Sequence, residues 1–184
     1  MTCSSNSFEK EVSIPYALYQ SELGRYFIGK TLQLNPTAPS THSIAALVNP
    51  ITSARNIYVN VITVLNPSAA IVTADFYLKS TLPAGTSISP LVSCTNLTLN
   101  PQPIPYGQVE YLASASNTPP TDGVSIFSRI VAPYSTEIVD GGQIILPPGQ
   151  SLIVYLGGLT STSNIVVAFG WWEESPDNCN CHYC

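Results

Sequence analysis

The densest chemistry in the sequence is the stretch Asn178-Cys179-Asn180-Cys181-His182-Tyr183-Cys184, which holds three thiols and an imidazole. Thiolate and imidazole are ligands for zinc and copper(I). A structural zinc site usually draws on two spaced pairs, however, and this cluster has no second pair unless another chain supplies it. The other reading is covalent cross-linking. Cys179 and Cys181 are too close in sequence for an unstrained mutual disulfide, so they look outward, and Pro176-Asp177 begins a lead that extends their reach. With Cys3 and Cys94 the chain has five cysteines, so complete oxidation requires at least one bond to another chain. Free thiols, and intrachain pairing with Cys94 or Cys3, stay open beside this. Cys94 lies in the apolar run Leu91-Val-Ser-Cys-Thr95 and reads as a buried core thiol or an intrachain partner. The expectation is cross-linking, without metal or cofactor.

Catalytic groups are sparse. The two histidines, His42 and His182, have no nucleophile marked beside them, although a serine or cysteine nucleophile needs a base within hydrogen-bond reach. No nucleophile elbow, zinc-protease helix, phosphate loop or dinucleotide fingerprint is present. Asp75, Glu110, Asp122, Glu137 and Asp140 are scattered singly, so a glycosidase-like pair would have to be made by the fold. Asn96-Leu-Thr98 fits a glycosylation acceptor, a three-residue match of low specificity. The expectation is a protein that is not an enzyme.

Charge narrows the partners. Only 9% of the 184 residues are charged, against about 25% in an ordinary soluble domain. Six Lys+Arg with a net charge of −5 argue against nucleic acid, which needs clustered cations, and against a polybasic membrane-surface protein. No apolar run approaches a membrane span, and Met1–Glu11 lacks the pattern of a secretory signal. A chain that is 45% hydrophobic with so neutral a surface suits life against other proteins. Thr31–Ala54 and Ser80–Val109 contain no charged residue at all.

The elements that must position these groups read as strands. Sixteen prolines and eleven glycines punctuate short β-favouring runs. Pro15–Gly24 predicts a short helix, with proline at its first turn and glycine at its end, an extended segment being the alternative. Strands are expected over Arg25–Leu34, Ser43–Val48, Asn56–Leu65, Ala70–Leu78, Ser87–Leu99 with a break at Pro90, Val109–Ala113, Val124–Ala132, Ser135–Val139, Gln143–Leu146, Ser151–Leu156 and Asn164–Glu173. Such spacing implies a sandwich or barrel. Alternation in the third run puts Ile57, Val59, Val61, Thr63 and Leu65 on one face and Tyr58, Asn60, Ile62 and Val64 on the other. Both faces are partly apolar, which reads either as β-propensity in a half-buried sheet or as covered edges or outer faces that meet another subunit. Residues 1–14 read as an arm, 15–175 as one domain and 176–184 as a cysteine-rich tail.

Three stretches together resemble a family: Asn49-Pro50-Ile51-Thr52-Ser53 leading into Asn56–Val61, Ile145-Leu-Pro-Pro-Gly-Gln-Ser-Leu-Ile-Val154, and Ala168-Phe-Gly-Trp-Trp-Glu-Glu174 before the cysteine-rich end. They look like small proteins of spore-forming Bacillus-type bacteria and, less closely, like subunits of endospore appendages, the fibres on those spores. The resemblance spans roughly residues 15–184. It implies an all-β fold, a single jelly-roll β-sandwich of about eight or more strands with flexible Cys-bearing termini. It also implies a non-enzymatic subunit that polymerises by strand addition and is locked by inter-subunit disulfides. Cys3 matches a cysteine-bearing N-terminal connector in position, and Cys179, Cys181 and Cys184 become its candidate partners. This sequence differs in carrying most terminal cysteines at the C-terminal end. The expected partners are the chain itself and a spore coat or exosporium anchor, at the spore surface, reached by lysis of the mother cell without a secretory signal. In the arm, Val12 and Ile14 share one face of a segment able to pair along a neighbour's edge. The alternative is a carbohydrate- or surface-binding adhesin at a fibre tip, using Tyr106, Tyr111, Tyr134, Trp171 and Trp172; of the two tryptophans one should be core and the other exposed or at an interface.

Overall fold

The computed structural model describes residues 13–36, 41–116, 119–158 and 164–176. Cys3, Val12, Cys179, Cys181, His182 and Cys184 lie outside the described residues. Within them one helix, α1 (Tyr16–Glu22), is followed by β1 (Tyr26–Lys30), β2 (Thr41–Val48), β3 (Asn56–Asn66), β4 (Val72–Leu78), β5 (Ser87–Ile88), β6 (Val92–Cys94), β7 (Gln108–Ser116), β8 (Val124–Val131), β9 (Ser135–Leu146), β10 (Ser151–Gly157) and β11 (Val166–Glu174). The strands form two antiparallel sheets, in the orders β6-β1-β11-β3-β9 and β5-β7-β2-β10-β4-β8. The chain is an all-β sandwich. Its pairing is nested, with β1 on β11, β2 on β10, β3 on β9 and β4 on β8, alternating between the sheets.

Helix α1 follows from its ends. Pro15 has extended geometry and no N–H to leave unpaired, and its carbonyl accepts from the Tyr19 amide at 3.1 Å. Gly24 closes the helix at φ +70°, and a Cβ there would meet Leu99 Cδ1 at 2.5 Å, so both backbone and space require glycine.

The core lies between the sheets. Leu47, Ile62, Phe76, Leu152, Phe169 and Trp171 are its large, fully shielded members. Removing this apolar area from water is the main stabilising term.

The alternation expected for β3 is corrected. Ile57 and Val59 are buried, but so are Ile62, Val64 and Asn66, while Leu65 is exposed. Register shifts occur opposite Asn60 on both sides of β3, where Val59 faces Trp171 and Ile144 but Val61 faces Gly170 and Asp140. The extra residue is a β-bulge, and it turns the following side chains to the other face. On β11 the odd residues Val167, Phe169, Trp171 and Glu173 stay inward without interruption. Two further corrections concern length. The first expected strand ends at Lys30, Leu34 making only an isolated bridge to Ile165. The segments Ser135–Val139 and Gln143–Leu146 are one strand, β9, which runs through Asp140-Gly141-Gly142. Gly141 faces inward, and a Cβ there would meet Val59 Cγ1 at 2.7 Å, so glycine lets the bulged strand lie close to β3.

Candidate functional site

Each sheet ends in two different edges. On one side of the sandwich the edge strands are β5 and β6, of two and three residues. On the other they are β8 and β9, of eight and twelve. An unpaired edge presents a row of free N–H and C=O groups, and long apolar edges are templates for another strand. The second side carries Ile130 (71% exposed) and Ile138 (66% exposed), together with exposed Val124, Tyr134 and Ile145. Its charges partly cancel: Arg129 Nε lies 3.6 Å from Glu137 Oε1, bridging the two sheets across the corner. Both side chains are more than a third exposed, so this pair adds little stability.

The corner between β8 and β9 is built by Asn66. Its buried amide donates to the carbonyls of Ala70 (2.7 Å), Ala132 (3.0 Å) and Val131 (3.2 Å), and its Oδ1 accepts from Ser68. Buried polar groups of this kind must be satisfied, and here the satisfaction fixes where the chain leaves one sheet for the other.

A second feature covers the outer face of the five-stranded sheet. Trp172 stacks on Tyr58 at 5.5 Å, meets Tyr16 edge-on at 5.6 Å and lies 6.4 Å from Tyr26. Tyr16 and Gln20 of α1 both donate to Glu174 Oε1, the former at 2.6 Å. That hydrogen bond raises the Tyr16 pKa, since the carboxylate holds the phenolic proton, with burial adding to it. Trp171 points inward and is fully buried. The two tryptophans therefore divide as core and half-buried neighbour, the latter packed beneath α1. Trp171 is removed from the set of exposed aromatics, because the regular alternation of β11 turns it into the core.

Sequence reasoning missed Glu173. It is 4% exposed, and its carboxylate accepts from the Gly107 amide (2.8 Å), the Tyr106 amide (3.0 Å) and Trp171 Nε1 (3.0 Å). These charge-assisted bonds anchor the loop before β7. Gly107 admits them: a Cβ there would lie 2.6 Å from Ile57 Cδ1. The odd-numbered register with Trp171 was the one available signal.

The carboxylates singled out from sequence each meet a different local donor. Asp75 accepts from Ser128 Oγ, Glu110 from Thr86 Oγ1 and Asp140 from the Gly142 amide. Asp122 accepts from the Thr81 amide, and hydrogen bonds from Thr81 hold its pKa below the ordinary value. Glu137 faces Arg129. His42 stacks on Tyr155 at 4.4 Å, and burial lowers its pKa; burial likewise pushes the Tyr155 phenol up to about 12. Among the described residues no three His, Cys, Asp or Glu side chains converge as a metal site. Cys94 is a buried free thiol at the end of β6, opposite Phe27 of β1. Ile14 is 43% exposed and lies outside any strand, one residue before Pro15. No described helix is long and apolar enough to cross a membrane.

By architecture, then, the molecule is an antiparallel β-sandwich with one pair of minimal edges and one pair of long ones. Residues 3–178 match the model of a family of unknown function (DUF6143), and the chain belongs to that family. No curated protein and no solved structure matches it.

Proposed function

We propose that this chain is a non-enzymatic structural subunit that self-assembles into a fibre on the spore surface, an endospore appendage, through strand addition and inter-subunit disulfides. The observation that carries the reading is the β8–β9 side: two long edges, unpaired among the described residues, with Ile130, Ile138, Ile145 and Val124 exposed along them. Main-chain pairing tolerates a surface with few charges, because its affinity comes from backbone hydrogen bonds. The finer fold reading is a jelly roll. It is supported by the quartets β1-β11-β3-β9 and β2-β10-β4-β8 within the two sheets, in which each early strand pairs with a late one. Strands β5, β6 and β7 are then additions at one side.

In this reading the arm of residues 1–14, with Val12 and Ile14, pairs along a neighbour's long edge. Cys3 and the tail thiols Cys179, Cys181 and Cys184 then lock the contact. The partners are further copies of the chain and an anchor protein of the spore coat or exosporium. Negative-stain microscopy of the purified chain, with and without residues 1–11, tests this together with non-reducing gels. Filaments from the full chain, shortened or lost on truncation, and ladders that reductant collapses support it. Undiminished filaments from the truncated chain exclude the arm as connector. A second reading, a glycan- or surface-binding adhesin, draws on Tyr134, 75% exposed at the β8–β9 turn. Discrete particles with glycan affinity favour that reading.

A further inference from the structure

The chain has three arginines, Arg25, Arg55 and Arg129. Arg129 faces Glu137. The guanidiniums of Arg25 and Arg55 have no carboxylate within ion-pair distance and no hydrogen-bond acceptor among the described residues, which include eight of the chain's eleven acidic side chains. Both line one cleft of about 200 Å³, whose other walls include Phe27, Pro103, Ile104 and Tyr106. Their backbones are fixed. The Arg25 amide donates to Gln20 O and its carbonyl accepts from the Glu173 amide, while the Arg55 carbonyl accepts from Asn49 Nδ2 at 2.7 Å. The Arg55 guanidinium lies over the Tyr106 ring, 5.6 Å from its centroid, and Glu173 holds the Tyr106 amide in place. Glu173 also lines the cleft, but its oxygens are taken by two amides and an indole.

We propose that this cleft is a binding site for a monoanionic carboxylate, gripped by Arg25 and Arg55 against the Tyr106 wall. Guanidinium forks match a planar carboxylate. The fixed negative charge of Glu173 in the same cleft opposes a phosphate dianion more than a monoanion. The volume is below that of a site enclosing a whole small molecule, so it takes the carboxylate head and leaves the body outside. The head can come from a free acid or from an acidic side chain of a second copy of this chain. The inference stands independently of the fibre reading, since a free acid satisfies it on a monomer.

The test titrates the full chain with acetate, glucuronate and inorganic phosphate while NMR follows the arginine Nε–Hε resonances and the Tyr106 amide. Sedimentation is run in parallel with and without acetate. Saturable shifts with acetate and glucuronate, weakened at least about tenfold in R25Q and in R55Q with sedimentation unchanged, support the site and assign it to free acids. Self-association lowered by acetate and by both variants supports the site and assigns it to a second copy. If either variant fails to fold, R25K and R55K, which keep the charge and lose the fork, should show a smaller loss. Phosphate bound more tightly than acetate overturns the monoanion assignment. An absence of saturable shifts, with sedimentation of R25Q and of R55Q unaltered, overturns the site.

Discussion

The two sides of the sandwich use the same device at different lengths. In each, one segment of chain ends the six-stranded sheet, crosses, and ends the five-stranded one: β5 into β6 at one side, β8 into β9 at the other. At the first corner the crossing is Ser89-Pro90-Leu91. Ser89 is buried; its Oγ donates to Lys30 O at 2.6 Å and accepts from the Leu91 amide, while its own amide donates to Val109 O. Proline lies between two minimal strands, and such an edge offers little ladder to a stranger. At the second corner Asn66 does the bracing, and the strands beyond it run to their full length with apolar side chains outward. The difference teaches that an edge is a choice of the sequence rather than a by-product of the fold. One side has been shortened and interrupted, and its counterpart has been left long.

The sharpest way to break this comparison is to close the long side. The double variant I130K/I138K places like charges on β8 and β9, where both isoleucines are exposed. Edge lysines are a device that natural sheets use against strand addition. The expected outcome is loss of filaments by microscopy with unfolding free energy changed by no more than about 0.5 kcal/mol per site. Ile88→Lys on β5, also exposed, is the control and should leave filaments intact. Filaments unaffected by I130K/I138K would remove the long edges from the assembly contact.

The strand runs and helix α1 were readable because turn residues bracket them: Pro15 and Gly24 for the helix, Asn49-Pro50 for the end of β2. The bulge at Asn60 was not, since one inserted residue reverses the phase of everything after it and nothing local distinguishes Asn60 from an outward polar residue. Asp140-Gly141-Gly142 has the composition of a turn, yet β9 carries it within a strand, because an edge has only one neighbour to satisfy and Gly141 packs on Val59. In the sequence, apolar residues stand on both faces of β11, Val166 and Ala168 on one and Val167 and Phe169 on the other. The reason, the seating of Tyr16 and Gln20 of α1 on Trp172 and Glu174, required contacts between the two ends of the described chain. Glu173 was hidden likewise, its donors coming from Tyr106 and Gly107.

The corner residues give the next effects. Asn66→Ala strands three buried or part-buried carbonyls at once and should cost about 3 kcal/mol in chemical denaturation. Ser89→Ala removes one donor to Lys30 O from a shorter crossing and should cost about 1 kcal/mol. Hydrogen exchange after Asn66→Ala should rise first in Val131–Thr136. Equal costs at the two corners would mean that both edges rest on equivalent bracing, and the long side would lose its distinct structural support.

The smallest effect concerns acid, and it falls on the side of the short edges. His42 lies on β2, next to β7, whose far neighbour is β5. Its ring stacks on Tyr155, which itself packs in a cluster with Ile44 and Ile153, Nδ1 is buried without a partner, and Gly157 leaves room for the ring, since a Cβ there would come within 2.4 Å of Nε2. Burial lowers the His42 pKa below 6.5, and the attraction of Asp75 only partly offsets it. The unfolded chain therefore binds a proton at a higher pH than the folded one. The stability that this group contributes is complete above the unfolded value and is lost as pH falls through it, levelling off below the folded value. Unfolding midpoints should fall on acidification from about pH 7.5 to pH 5, with the slope reduced in His42→Phe, which keeps the ring on Tyr155 and removes the proton. Amide protection factors, which are taken relative to intrinsic exchange at each pH, should fall over that range in β2 and β7 while those of β8 and β9 hold. Acid loosening of β8 and β9 instead, or an undiminished slope in His42→Phe, would mean that His42 is not the titrating group.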